Sequence, residues 1–183
     1  MSELVERLIG DATGKGPKKF YGKYRGTVIN NIDPMMIGRI QVIVPDVTVI
    51  PSSWAMPCVP LAGIQNGFYA VPIIGSGVWV EFEQGDPDYP IWSGCFWGTA
   101  AEVPAFARIV PPVVPGVTIQ TPLQNGIQVS DVPGPTGGII LKSTTGASII
   151  VNDTGIYIQN GKGASIVMVG PSVTINAGAM VII

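Results

Sequence analysis

Four carboxylates, Glu81, Glu83, Asp86 and Asp88, crowd the stretch VEFEQGDPDYPIWSGCFWG from Val80 to Gly98, beside aromatic residues and Cys95. Two types of chemistry use such a cluster. A carboxylate pair does acid–base work when burial raises the pKa of one member, and a loop of oxygens holds a hard cation such as calcium. The spacing favours neither. Alternation puts Val78, Val80 and Phe82 on one strand face and Trp79, Glu81 and Glu83 on the other, so the two glutamates share a solvated surface. Asp86 and Asp88 fall in the turn Gly85-Asp86-Pro87-Asp88, where proline fixes φ and Asp and Gly favour reversal. Nothing nearby supplies burial, and the EF-hand spacing is absent. The stretch reads as a β-hairpin with a polar face and an acidic tip.

The rest of the inventory narrows the chemistry further. The chain of 183 residues has 0 histidines, which removes His-based acid–base catalysis, His-dependent Ser and Cys triads and most zinc sites. Its 2 cysteines, Cys58 and Cys95, make neither a disulfide framework nor a metal knuckle and read as buried thiols. No catalytic or metal-binding residue is assigned and no cofactor is expected. A net charge of −2 argues against a polyanion binder. Charged residues make up only 12%, against about 25% in ordinary soluble domains, and mean hydropathy is +0.42. Yet Pro, Gly or a polar residue breaks every apolar run before the length of a membrane span, and MSELVERLIGDATGKG lacks the apolar core of a signal peptide. Apolar surface in such a chain is expected to be covered by obligate oligomerisation.

The elements that must position these residues fall into four segments. Residues 1–20 form an arm whose one helical pattern, Ser2 to Ile9, repeats Leu4/Leu8 and Val5/Ile9 at i,i+4 behind a possible Ser2 cap. Such a short helix is marginal alone and either frays or docks. Lys15, Lys18, Lys19, Lys23 and Arg25 follow as a basic run. Residues 21–102 are strand and turn: Asp33-Pro34 is a turn signal, and Ile37 to Pro45 puts Ile40, Val42 and Val44 on one face and Arg39, Gln41 and Ile43 on the other. About five short strands in so few residues suggest a small closed or nearly closed barrel. Residues 103–116 (VPAFARIVPPVVPG) read as an extended, semi-rigid linker from which prolines exclude helix.

Residues 117–183 change character. Short aliphatic runs recur (GIILK, ASIIV, GIYIQ, ASIVMV, SVTIN, AMVII), and GASIIVNDTGIYIQN from Gly146 is answered by GASIVMVGPSVTINA from Gly163, 17 residues later. That offset is two strands with their turns, the mark of a β-solenoid or β-prism. Tyr157 is its one aromatic, as suits a narrow axial core. Several chains wrapped about one axis would bury the apolar face and leave few open edges. A carbohydrate-cleaving β-helix enzyme would need a carboxylate and basic cluster that Asp131, Lys142, Asp153 and Lys162 do not provide.

GKYRGTVINNIDPMMIGRIQVIVP, PIIGSGVWVEFEQGDPDYPIWSGCFWG and the repetitive tail together resemble the central spike proteins of contractile phage tails, the baseplate assembly protein V family, and the related VgrG spikes of type VI secretion and injection particles. The resemblance covers Tyr21 to Gly98 closely and the tail by pattern. It implies an all-β chain in which an N-terminal OB-fold barrel leads into a C-terminal β-helix or β-prism needle, three chains intertwining as a homotrimer. It makes Gly85, Asp86, Pro87, Pro90 and Gly94 a structural family hairpin. The implied job is mechanical: a virion component of the tail baseplate, assembled in the bacterial cytoplasm, that carries contraction force to a target membrane touched transiently, without nucleic acid.

Three departures refine this. Some spikes carry an apical His-x-His iron site, which a chain without histidine lacks. No lysozyme domain interrupts barrel and needle, so no cell-wall hydrolysis is expected. No hub domain is fused ahead of the barrel, so the hub is expected to be a separate protein, with Leu4, Val5, Leu8, Lys18 and Lys19 as the docking arm. The apolar stretch ending Met180-Val181-Ile182-Ile183 is expected to meet a tip protein of the PAAR-repeat kind. Two alternatives remain: an OB-fold single-stranded nucleic-acid module, suggested by the basic arm and 4 tryptophans, and the spike of a cellular injection system.

Overall fold

A computed structural model describes residues 18–182 of the chain. The arm residues Leu4, Val5 and Leu8, and Ile183 at the other end, lie outside the described residues. The chain divides into two compact units, one up to Gly98 and one from Thr99, and no α-helix occurs among the described residues.

The first unit contains β1 (Tyr24–Asn30), β2 (Gln41–Ile43), β3 (Met56–Pro57), β4 (Ala62–Gly63), β5 (Asn66–Gly67), β6 (Gly77–Phe82) and β7 (Pro90–Phe96). Five of these pair in the order β2-β1-β6-β7-β3, and β4 pairs with β5 as a separate hairpin. Ile40, just before β2, and Ala55, just before β3, exchange backbone hydrogen bonds of 3.2 and 2.8 Å. That bridge joins the two edges of the sheet and closes the barrel, removing edges that would otherwise recruit other strands. The period-2 reading holds inside it: Ile40, Val42, Val44, Val78, Val80 and Phe82 point into one core with Val28 and Trp92. The rings of Phe20, Tyr24 and Phe82 meet edge-on or tilted at 5.7–6.1 Å, a geometry that aligns positive ring edges with negative faces.

The second unit is a meander of eight strands: β8 (Gly116–Gln120), β9 (Gly126–Ser130), β10 (Gly138–Lys142), β11 (Ser148–Asn152), β12 (Gly155–Gln159), β13 (Ser165–Val169), β14 (Ser172–Ile175) and β15 (Met180–Ile182). Each is antiparallel to the next, in sequence order across the sheet. The 17-residue repeat maps onto β11 and β13. Residues 103–116 differ from expectation, because Ala105–Ile109 forms a 3-10 turn. Pro104 starts it with φ −48, proline being suited to a helix start, where its missing N–H has no partner to lose. Two glutamines then hold the turn on the sheet. Gln120 Oε1 accepts from the Phe106 N–H at 2.9 Å, and Gln128 Nε2 donates to the Phe106 carbonyl at 2.8 Å.

Back in the barrel, the turn at Asp33-Pro34 is more than a reversal. Asp33 is buried and accepts from the backbone N–H of Met35 (3.0 Å), Ile37 (3.0 Å) and Arg39 (3.2 Å). The Arg39 guanidinium adds bonds of 2.7 and 3.1 Å to Asp33 Oδ1 and sits 5.5 Å over the Trp54 ring. The Trp92 indole N–H donates to the Gly38 carbonyl at 3.0 Å. These bonds hold Met36 at φ 53 and Gly38 at φ 85, conformations that would otherwise be unfavourable for a Met side chain. Arg39 first, and the three backbone donors with it, hold the Asp33 carboxyl well below the usual carboxylate range, against the opposing effect of burial. A depressed folded pKa means the stabilisation is complete above the unfolded value of about 3.9 and is lost as pH falls through the folded value. Asp33→Asn is therefore expected to lower the melting temperature at pH 7 and to flatten its acid dependence between about pH 4 and pH 2. Parallel melting curves for the two proteins across that range would remove Asp33 as the acid-sensitive group.

Candidate functional site: an aliphatic sheet face

Strand register in the second unit builds two continuous ladders on one face. Val117, Val129, Ile139, Val151, Ile156, Met168 and Val173 are successive cross-strand neighbours. So are Ile119, Ile127, Leu141, Ile149, Ile158, Ile166, Ile175 and Met180. Every rung is Val, Ile, Leu or Met. Where they are most open, the ladder residues run from 64% exposed at Val117 to 37% at Ile158. Fully burying such a side chain is worth about 1.5–3 kcal/mol, so covering the exposed part of each contributes on the order of 1 kcal/mol. Summed over the face, this is more than a monomer leaves to water by chance.

The opposite face is chemically mixed. Its central row reads Thr118, Gln128, Ile140, Ile150, Tyr157, Val167 and Thr174. Gln128 is fully buried there, and among the described residues its Oε1 has no hydrogen-bond partner, although its Nε2 holds Phe106. Only the aliphatic face is both uniform and open. A groove of about 550 Å³ on it is lined by Ile119, Ile127, Leu141, Ile149 and Ile158. Three copies about one axis can bury three such faces against each other.

The carboxylates of the opening stretch are dispersed. Glu81 lies 3.2 Å from Lys23 Nζ. Glu83 does not continue the strand as alternation suggested: Gln84 (φ 51) and Gly85 (φ 76) carry the chain out of the sheet. Asp86 Oδ1 accepts from the Asp88 N–H at 3.1 Å, and Asp86 Oδ2 is 3.8 Å from Lys19 Nζ. Among the described residues no group of three His, Cys, Asp or Glu could hold a metal ion. Cys58 and Cys95 are both exposed, against the expectation of burial; Cys58 lies just past the end of β3 and Cys95 next to the last residue of β7. The hairpin residues serve geometry. A Cβ on Gly85 would meet the Phe20 nitrogen at 3.1 Å, where Phe20 N–H bonds the Gly85 carbonyl. Pro90 is fully buried at the start of β7, Pro87 sits in the turn, and Gly94 (φ 136) occupies a bulge where the β6–β7 register shifts.

The cations described in the barrel are also engaged. Lys18 Nζ lies 4.9 Å over the Phe20 ring, and Arg25 lies 5.6 and 5.3 Å over Trp79 and Phe96. Lys19 and Lys23 face carboxylates, and Arg39 is bound to Asp33. Sequence reasoning missed the Asp33–Arg39 pair and the glutamine clasp on Phe106. The D-P-x-x-x-G-R spacing carried a signal for the first; nothing in the sequence marks the second.

Comparison with known families agrees with this division. Residues 24–97 match the type VI secretion system/phage-baseplate injector OB domain, and residues 116–181 match the phage baseplate V C-terminal trimerisation domain. No curated protein matches the chain. Fold and face together define an all-β structural protein with an OB-type head and a C-terminal sheet that trimerises. The two matches span most of the chain, and it belongs to the phage baseplate V family of spike proteins, to which the VgrG spikes are related. This is a structural family of baseplate components and not a family of enzymes.

The face makes the first demand of such an assembly. Ile149→Asp would place three carboxylates in one dry interface, at a penalty of several kcal/mol per ion. Light scattering should give about three times 19.2 kDa for the unaltered chain and a smaller mass, or insoluble protein, for Ile149→Asp. Val169→Thr, off the ladders, should keep the trimer mass.

Proposed function

We propose that three copies form a central spike that transmits the thrust of a contracting tail to a small area of target envelope and pierces it. The observation that carries this is the pair of unbroken aliphatic ladders, within residues matching a trimerisation domain. Closing three such faces about an axis gives a shaft with a dry interior. Eight strands spaced about 4.8 Å apart give that sheet a length of about 34 Å. Bending it would break many backbone hydrogen bonds together, so the shaft is stiff. The scarcity of charge from β8 to β15 lowers the desolvation cost of entering a bilayer.

The same reading includes a separate hub protein at the barrel end and a small tip protein of the PAAR-repeat kind at the other. The free edge of β15 (Met180–Ile182), the outer strand of the sheet, supports the tip contact, because its backbone can pair with a strand of a partner. A virion tail assembled in the bacterial cytoplasm is the setting proposed, with a cellular injection particle as its close relative. The single-strand nucleic-acid reading loses support from the barrel's cations, whose aromatic and acidic partners occupy them.

Force indentation of a supported bilayer tests the piercing step. A probe bearing the full-length trimer is expected to break through at lower force than one bearing the chain shortened after Gln159. Equal breakthrough forces would sink piercing while leaving the structural role intact.

A further inference from the structure

We infer that the β4–β5 hairpin of one copy seats its tip, Ile64, in an apolar groove on the barrel of a neighbouring copy of this chain, joining the three barrels in a ring. The hairpin departs from the usual chemistry of turns. Gly63 pairs with Asn66, which leaves Ile64 and Gln65 as the two turn residues, although Asn66-Gly67, the next two, are the pair that favours a tight hairpin turn. Gln65 adopts φ 52, a left-handed conformation that Gly or Asn takes more readily. Ile64 is 99% exposed, the most open large apolar side chain among the described residues. A hairpin of two-residue strands that pairs with no other strand is also marginal in water. Local rules broken together at one point mark a position kept for a contact.

A groove that fits this tip lies on the same barrel. It measures about 410 Å³, is walled by Met56, Leu61, Phe68, Tyr69 and Trp92, and has no charged lining residue. Its walls are set: the Phe68 N–H donates to the Leu61 carbonyl and the Cys58 N–H to the Trp92 carbonyl, both at 2.9 Å, and the Trp92 indole holds the Gly38 carbonyl. Met56, Leu61, Phe68 and Tyr69 are nonetheless exposed. From Val47 to Val80, the stretch that supplies the tip and most of the groove, the chain carries no charged residue, where about a quarter would be ordinary. Such a groove accepts an apolar knob and rejects a charged one, whose desolvation nothing would offset. Within one chain Ile64 is almost fully exposed and is not among the groove's lining residues, so the knob belongs in another copy's groove. The second copy is already at hand. Residues 116–181 match a trimerisation domain, so each barrel is tethered to two others, and contact between them forms at an effective concentration of about millimolar. A knob and a hole on one surface make a head-to-tail contact, which closes as a ring when a three-fold axis relates the copies.

Two measurements on the full-length trimer test the assignment. Ile64→Asp changes a side chain that its own barrel leaves almost wholly exposed, so a response at the groove reports on the neighbour. The substitution should speed hydrogen exchange across residues 66–71 by at least about tenfold, while the sheet keeps the mass at three chains. Unchanged exchange there would mean that no second copy covers the groove, leave that surface to a separate protein, and overturn the inference. For the second measurement Cys58 and Cys95 are replaced by serine, and Ile64→Cys is paired with Met56→Cys. Mild oxidation should give species of two- and three-chain mass on a denaturing gel, because each chain then links its tip to one neighbour and its groove to the other. Cross-links at single-chain mass alone, or none, would refute the contact between copies. Two-chain species from Ile64→Cys without Met56→Cys would set tip against tip and rule out the groove as its seat.

Discussion

The second unit has one layer. A β-sheet buries a face only against another layer, and here the chain supplies a cover on one side alone, by laying the turn at Ala105–Ile109 over β8 and β9. The other side is a sheet of Val, Ile, Leu and Met rungs facing water. A chain in that state exposes more apolar surface than its scarce charges can offset for solubility, so the fold is completed between chains. Trimerisation is therefore part of the folding reaction of this unit, and its stability depends on chain concentration. The barrel obeys the opposite rule. Its Ile40–Ala55 bridge closes the sheet, and its core of Val28, Ile40, Val42, Val78 and Val80 needs no second copy.

The two faces of the long sheet differ in how they specify partners. The aliphatic ladders repeat so regularly that hydrophobicity alone would tolerate slippage between chains, since shifting by two strands replaces each rung with a similar one. The opposite face breaks that degeneracy within each chain. Gln120 and Gln128 grip both backbone groups of Phe106 as a neighbouring strand would, and this fixes the turn over β8 and β9. Gln128 is buried to do so, and among the described residues its carbonyl oxygen has no partner; a buried acceptor left so costs about 1–3 kcal/mol. A buried amide with one satisfied end is tolerated where it fixes position.

What could be read from the sequence follows from period. Alternation located the barrel's inward residues correctly, and a 17-residue echo located two strands per repeat, because both are periodic consequences of the pleat. The all-β class and the family resemblance followed from those runs and from motifs whose glycines and prolines mark turns. The misses are aperiodic. Glu83 fits the strand pattern, but left-handed backbone at Gln84 and Gly85 takes it off the strand. Cys58 and Cys95 were assigned by the general tendency of thiols to be buried, which says nothing about a particular edge. The proline-rich 103–116 stretch looked extended from composition, yet one proline starts a 3-10 turn held by glutamines from strands fourteen and twenty-two residues on. Asp33-Pro34 signalled a turn correctly while hiding the ion pair inside it, since Arg39 could be matched to it only through the loop's fold.

That ion pair shows how the family motif works without chemistry at a reaction centre. Asp33 gathers three backbone N–H groups and a guanidinium, so a loop carrying exposed Ile32, Met35 and Met36 is held in one conformation. The hairpin residues act similarly at another corner, where Gly85 lets Phe20 approach and Gly94 absorbs a bulge. Carboxylates, glycines and prolines that elsewhere build active sites are here spent on loop geometry. At these two corners the polar groups are committed to holding shape, and two open surfaces, the aliphatic face and the groove beside Trp92, are apolar ones that assembly can cover.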